Sequence, residues 1–564
     1  AQPASRAAAA GGGPLMCGIC GDVDLAGAPD VEGVRRAANA IQHRGPDAEG
    51  FFNEGAASLG HRRLAILDLE SGDQPMTREG VTLVFNGEAY DFAELRDELR
   101  SKGHPFTTRS DTEVVLRAYL EWGEQFPERV HGMFALALWD ARSRKLLLAR
   151  DRLGKKPLYY FAAGKRCVFG SELKALVAHG GVPRELDTDA LVQYLACEYV
   201  PAPASIYRSI RKLPAAHLAV FDNAGLRLRR YWSLPTPEAA APEGAAAELV
   251  SLLDAAVKKR LVADVPVGVF LSGGIDSTSI AALAARHKKP LRTFSIGFTE
   301  ESFDESPWAE LASKRLHTEH SSQKFSGADC LDLLPAAVSQ LDEPFADPSF
   351  LPTLLLSRFT RQHVKVALAG DGGDELFAGY DPFLAHRPAA LLARLPRPLR
   401  ALLLAAVSRL PASSRNMSLD FRIKQFLRGL DARPSLRHQA WLASFLPEEI
   451  AGLLRPELRA HATEQVAFGQ VLEDLAGLAA GSMDEALRFY LSRYLADDIL
   501  VKADRASMAA SLELRAPYLD TRVVEFAARL PWRMKVSLSR TKVLLKKALR
   551  GIVPDETLQR PKKG

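Results

Sequence analysis

Short apolar runs punctuate the chain, and their spacing predicts two kinds of architecture. Val81–Phe85, Phe134–Trp139 and Lys145–Ala149 read as strands, and Thr112–Trp122 as a helix. Further on, Ala245–Arg260 reads as a helix leading into Val265–Leu271, a run with the length and β-branched content of a buried strand. That run breaks at Ser272-Gly273-Gly274, and a helix-like segment, Thr278–Ala285, follows. Two more apolar runs, Arg292–Phe298 and Val364–Leu368, recur with helical stretches between them, as a parallel sheet requires. Lys542–Arg550 reads as a late helix.

At 564 residues the chain is too long for one core, so two or three domains are expected. A connector is predicted at Tyr199–Ser205, where Pro201-Ala202-Pro203-Ala204 looks stiff and exposed, and a second break at Pro235–Gly244. The expected division is an extension over 1–16, one domain over 17–205 and another over 206–564. Ala1–Leu15 is Ala/Gly-rich and lacks the bulky apolar core of a signal peptide; it reads as a disordered scar of expression or a mis-set start.

Composition narrows the function classes. A net charge of +5 with no basic run interleaved with aromatics argues against a nucleic-acid surface. No apolar stretch is long enough to span a bilayer: Ala389–Leu410 is broken by Arg394, Pro396, Arg397, Pro398 and Arg400. Five scattered cysteines do not make a disulfide scaffold, which fits a reducing cytoplasm.

Candidate chemistry concentrates in two places. In the second half, a strand, a Gly-rich turn and a helix start form an anion site, because free backbone N–H groups and the helix dipole both favour negative charge. Gly273 and Gly274 permit close approach to a phosphate, and Ser272 and Ser277 add hydroxyl donors. Asp276 fits such a loop if it binds a Mg²⁺ that the phosphates share. The loop is neither a Walker motif nor a GxGxxG turn. Ser-Gly-Gly-Ile-Asp-Ser resembles the pyrophosphate loop of ATP pyrophosphatases, which split ATP into AMP and pyrophosphate while adenylating a substrate. Nucleotides bind at the carboxyl ends of parallel strands. That places Phe270, Ser272, Ile296, Ala369 and Gly370 among the candidate ATP contacts, with Ile296 toward adenine. The carboxylate-rich end of the third strand, with Asp371 and Asp374, suits Mg²⁺ and phosphate.

In the first half, three readings compete for Cys17: half of a Cys-x-x-Cys pair with Cys20, a buried structural cysteine, or the first residue of the mature chain. Residues three apart on a strand face opposite sides, and no second pair completes a zinc site. As a first residue, Cys17 would have its own α-amine as a base. Asn86 and the Gly87 N–H could hold an oxyanion. Arg63 could take a carboxylate in a forked contact, and Glu88 and Asp111 an α-ammonium group. Singly, each has a plainer account: Asn86-Gly87 is a common turn dipeptide, Asp111 could cap a helix, and Arg63 could be a surface charge.

Together with His43-Arg44-Gly45-Pro46-Asp47, Gly132-Met133-Phe134-Ala135, Asp151-Arg152-Leu153-Gly154, Pro157-Leu158-Tyr159-Tyr160 and Ser171-Glu172-Leu173-Lys174-Ala175, these residues resemble the class II glutamine amidotransferase domain from Cys17 to about Leu195. The phosphate loop, Ala369–Tyr380, Leu500–Ala509 and Glu513–Asp520 resemble the synthetase half of glutamine-hydrolysing asparagine synthetases. The resemblance implies a two-domain α/β fold. Its N-terminal part is an αββα sandwich of the N-terminal-nucleophile type, and its C-terminal part a Rossmann-like parallel sheet with helices. It implies Asp276 and Asp374 as magnesium and pyrophosphate ligands, Asp371 beside the acyl-adenylate where some relatives have Glu, and Lys542 as a stabiliser of transition-state charge. It also implies glutamine, ATP and aspartate as substrates. The chain stops at Arg560-Pro561-Lys562-Lys563-Gly564, where relatives usually continue, and so reads as truncated.

The motifs leave the acceptor open: the same plan amidates sugar acids, peptides and antibiotic precursors, and Asp342–Ser349 is the expected wall of its pocket. An ammonia-dependent synthetase without glutaminase activity, a non-catalytic scaffold and self-association as a homodimer also stay open.

Overall fold

The computed structural model describes residues 17–63, 66, 68, 71–409 and 418–560. The expected extension 1–16, part of the stretch Gly60–Asp68, the end of Ala389–Leu410 and the last four residues lie outside the described residues.

The first half is built from β1 (Gly18–Asp24), β2 (Ala48–Glu54), β3 (Ala57–Arg63), β4 (Met76–Arg78), β5 (Val81–Ala89), β6 (Gly132–Asp140), β7 (Lys145–Arg150), β8 (Tyr159–Ala163), β9 (Arg166–Gly170), β10 (Arg211–Lys212), β11 (His217–Asp222) and β12 (Gly225–Arg230). They form two six-stranded antiparallel sheets, ordered β10-β8-β9-β1-β3-β2 and β12-β11-β7-β6-β5-β4. The period-two pattern of β6 explains the stacking. Phe134, Leu136 and Leu138 join the cluster under the helices Phe92–Ser101 and Asp111–Trp122. The alternate Ala135, Ala137 and Trp139 meet Ile19, Leu59 and Phe169 between the sheets. Helices Val31–Ala40 and Leu173–His179 cover the other outer face, so the layers run α-β-β-α.

The expected boundary at 205 falls too early, because β10, β11 and β12 complete the two sheets and carry the first unit to Arg230. Nor is Pro201–Ser205 an exposed connector. Ala202 and Ser205 are buried, the Ala202 N–H donates to Asp497 at 3.2 Å, and the Ser205 hydroxyl donates to the carbonyls of Tyr207 and Ile210.

The second half carries β13 (Val267–Phe270), β14 (Arg292–Phe298), β15 (Glu319–Phe325), β16 (Val366–Leu368) and β17 (Glu513–Arg515). The sheet is parallel throughout, in the order β15-β14-β13-β16-β17. The chain starts at the centre, works to one edge, then crosses to β16. The strand order therefore reverses between β13 and β16, and the crevice beyond their carboxyl ends is where such sheets bind nucleotides. Helices Ala245–Arg260 and Ile275–His287 pack on the sheet through Leu249, Leu253, Ile280 and Leu283.

Candidate active sites

Cys17 lies one residue before β1, whose Gly18 is paired with Arg62 of β3, so Cys17 stands level with Arg63. It is half-buried and packs against the large apolar cluster of the second half. Cys20 faces away from it, into the cluster of Val34, Ala38 and Ile41 under the helix layer, and burial pushes its thiol up to about 12. The two sulfurs do not form a pair. Buried Arg44 donates from Nε to the Cys17 carbonyl at 3.3 Å and ties that backbone to Glu172 at 2.7 Å and Asp504 at 2.8 Å.

Asn86 and Gly87 are not a turn. They sit inside β5, opposite Ala135 and Phe134 of β6, because the strand runs on to Ala89. A Cβ at Gly87 would lie 2.0 Å from the Met133 carbonyl oxygen, so only glycine fits. Asn86 is 1% exposed, and its side-chain Nδ2 has no hydrogen-bond partner among the described residues. An unmet buried donor costs stability, and it is the kind of group an oxyanion would satisfy.

The other expected glutamine contacts are more engaged than their sequence suggests. Arg63 binds Asp73 at 2.6 Å and the Asp68 carbonyl at 2.8 Å. Glu88 gives one oxygen to Arg515 of β17 at 3.0 Å, across the boundary between the halves. Asp111 is the first residue of its helix, whereas Ser110 is the cap. Asp111 accepts from the Ala89 N–H at 2.9 Å, and burial raises its carboxyl to about 6.

The second cluster forms at the switch point. Ser272 and Ser277 hydroxyls lie 3.1 Å apart, and the Ser272 and Gly274 N–H groups donate to Ser277 Oγ and Ser272 Oγ. Gly273 has φ +71°, and a Cβ there would strike the Trp308 carbonyl carbon at 2.4 Å. Lys542 does not sit inside a helix. It is the left-handed residue (φ +54°) capping Val543–Ala548, 5% exposed, and its ammonium bridges Asp276 and Asp374, the latter at 2.6 Å. Burial alone would lower its pKa, but the two carboxylates outweigh it and hold the lysine charged. Gly373 and Gly379 make the approach possible: added Cβ atoms would lie 2.5 Å from Asp276 Cγ and 2.3 Å from Lys542 Cε. Phe270 and Ala369 share a small apolar cluster at these strand ends, Gly370 abuts the start of the Ile275 helix, and Ile296 packs toward Leu333 and Phe350.

Two carboxylates converging on one cation are a donor set that also suits Mg²⁺, which takes one or two carboxylates and completes its shell with phosphate oxygens and water. Among the described residues no group of three or more His, Cys, Asp or Glu is placed to hold a metal, and such a shell needs none.

Residues 342–349 divide between two tasks. Asp342 and Glu343 brace the first unit, through Lys174 at 3.3 Å and Lys212 at 2.5 Å, and Asp342 also meets Arg505 at 3.0 Å. Asp347 pairs with Lys502 at 3.0 Å. The functional neighbourhood whose partners the sequence left unmarked is the helix Leu500–Ala509 with the π-helical turn before it. Lys502 faces Asp347 and opposes the burial that raises Asp371, while Asp504 and Arg505 reach Arg44, Lys156 and Glu172 of the first unit. Their only sequence signal was the matching pattern Leu500–Ala509.

Asp498, 5% exposed, is raised from 3.8 to about 8 by burial and by Asp347, with Lys502 opposing. A folded-state pKa above the unfolded one stabilises fully below the lower value, and that contribution is lost as pH rises toward the upper one. Asp498→Asn, which mimics the neutral acid, should therefore gain stability over wild type by about 1.4 kcal/mol per pH unit between roughly pH 4 and 8. Denaturant melts across that range test this; a constant difference would refute it.

Between the clusters is a cavity of about 30 Å³, lined by Met133 of β6, Lys155, Leu500, Ala503 and Asp371. It can hold a molecule or two the size of water.

Comparison with known proteins covers both halves of the chain. The asparagine synthase family model matches residues 248–564, and the glutamine amidotransferase domain model residues 16–232. The glutamine-hydrolysing asparagine synthetases 1 and 3 of Bacillus subtilis (strain 168) are each 34% identical to this chain, over 97% of it and 86% of their own length. Among solved structures, the glutamine phosphoribosylpyrophosphate amidotransferase of B. subtilis covers 55% of this chain and 66% of its own at 16% identity, with a TM-score of 0.30.

Proposed function

Because the chain belongs to the family of glutamine-hydrolysing asparagine synthetases, we propose the following assignment of its residues to that chemistry. The reaction is a ligation: glutamine gives its amide nitrogen, ATP activates aspartate, and asparagine forms. Cys17, as the first residue of the mature chain, attacks the glutamine amide carbon, with its own α-amine taking the thiol proton. Asn86 Nδ2 and the Gly87 N–H hold the oxyanion. The C–N bond breaks, ammonia leaves with the proton, and water cleaves the thioester to glutamate. Arg63 takes the substrate carboxylate, and Asp111 with the remaining oxygen of Glu88 takes its ammonium group.

At the second cluster, ATP lies on Ser272–Ser277, with Phe270, Ile296, Ala369 and Gly370 around the nucleoside. The aspartate side-chain carboxylate attacks the α-phosphorus and pyrophosphate departs. Asp276 and Asp374 would hold Mg²⁺, which supplies charge neutralisation to the pyrophosphate when bound. Lys542 stabilises charge on the reacting phosphate, and Asp371 lies beside the acyl-adenylate. Ammonia crosses by the cavity between Met133 and Asp371, adds to the acyl carbon, and AMP leaves. Free cysteine thiols throughout the described residues suit a reducing cytoplasm, and no helix there is long and apolar enough to cross a membrane.

The observation that supports this reading most is the meeting of the Ser272–Ser277 loop, Asp374 and Lys542 at the one point where the sheet reverses its order. Its test is pyrophosphate release on mixing the protein with ATP, Mg²⁺ and a panel of carboxylic acids. Release with aspartate is expected; release with another acid alone would move the acceptor, and silence throughout would end the adenylation reading.

A further inference from the structure

Lys155 has an unusual place in the seam between the two halves. It is 9% exposed, and its ammonium donates to two main-chain carbonyls, Gly132 at 2.9 Å and Leu519 at 3.1 Å. Gly132 begins β6 and lies opposite Ala89, on the strand that carries Asn86 and Gly87. Leu519 belongs to the turn Pro517–Leu519, and its side chain fills the space beside Gly372, in the loop that carries Asp371 and Asp374. One ammonium thus ties the strand paired with that of the first site to the turn packed beside the loop of the second. It also lines the 30 Å³ cavity whose walls include Met133 and Asp371.

Its neighbour Lys156 lines the same cavity but is neutralised by Asp504 at 3.3 Å. Lys155 makes no ion pair among the described residues, and burial pulls its pKa down to about 8 against the weaker pull of Asp151. Burying a lysine without a carboxylate partner is costly, and an apolar side chain would fill the space at less cost. The charge therefore calls for a role. A fixed cation in a low-dielectric wall repels ammonium and sets no such barrier before neutral ammonia. Its bonds to the two carbonyls also keep water from reaching them through the seam.

We propose that Lys155 couples the two half-reactions: it closes the seam over the ammonia passage and makes that passage selective for the neutral molecule. The proposal rests on the reading that ammonia crosses internally.

The test compares wild type with Lys155→Met and Lys155→Arg, supplied with ATP, aspartate, glutamine labelled with heavy nitrogen in its amide and an excess of unlabelled ammonium. Wild type should yield about one labelled asparagine per glutamate, whereas Lys155→Met should lower that ratio ~3-fold or more with each half-reaction alone changed less than ~2-fold. Lys155→Arg, which keeps the charge, should restore the ratio. A wild-type ratio in Lys155→Met overturns the proposal. Should that variant lose both half-reactions, Lys155→Gln decides: it keeps a donor and lacks the charge, so a lowered ratio supports the proposal and a wild-type ratio overturns it. Scrambled label in wild type itself would instead overturn internal passage and leave no passage for Lys155 to guard.

Discussion

Cys17→Ala is expected to lower asparagine formation from glutamine by ~10³-fold or more, while formation from added ammonia stays within ~2-fold of wild type. The asymmetry follows from the architecture. The thiol stands at the head of β1 in the antiparallel half, and the adenylation cluster stands on the parallel sheet. The substitution removes one sulfur from a half-buried position, and the Arg44 contact survives because it is made to the Cys17 carbonyl. Arg44 therefore keeps its bridge to Glu172 and Asp504, and the two halves stay docked. Loss of both activities together would mean that Cys17 is a packing residue. Mass spectrometry adds a second check on the same step: glutaminase activity should accompany only protein whose first residue is Cys17, since a peptide bond there removes the proposed base.

Lys542→Met should lower pyrophosphate release by ~10²–10³-fold, the usual cost of one preorganised charge-stabilising donor. It should also destabilise the protein by about 3–5 kcal/mol, because it leaves Asp276 and Asp374 facing each other without the ammonium that bridges them. Added Mg²⁺ should restore much of the melting temperature and little of the activity, since it can take the carboxylates but not the lysine's place on the phosphate. Lys542→Arg should not rescue activity: a Cβ at Gly379 would already sit 2.3 Å from Lys542 Cε, and the planar guanidinium needs more room than the ammonium. Full pyrophosphate release by Lys542→Met would remove the lysine from the chemistry.

The parts of the fold legible in sequence were those whose burial leaves a mark. β13, β14 and β16 lie in the interior of the parallel sheet and read as apolar runs; β15, Glu-His-Ser-Ser-Gln-Lys-Phe, is an edge strand with polar side chains, and β17 has three residues. Pro201–Ser205 misled because its composition is that of a solvated connector, whereas its backbone is held by Asp497. In the site, residue types were legible and partners were not. Asp276 and Asp374 stood out as carboxylates beside strand ends and Lys542 by resemblance at the start of a helix, and the structure joins them on one ammonium. Glu88 stood out as a carboxylate, but nothing near it in sequence names Arg515 as its counter-charge. Arg44 and Asp504 lie 460 positions apart, so no local pattern could pair them. Lys155 has no mark in the sequence, because its two carbonyl partners come from different halves of the chain.

The central claim is that this chain moves nitrogen from glutamine to an acid activated as its adenylate. Aspartate labelled with heavy oxygen in its side-chain carboxylate, reacted with ATP and unlabelled glutamine, tests it most directly. The account predicts one heavy oxygen in the phosphate of each AMP formed, alongside asparagine and glutamate. Asparagine accompanied by unlabelled AMP, or by ADP and labelled inorganic phosphate, would contradict it.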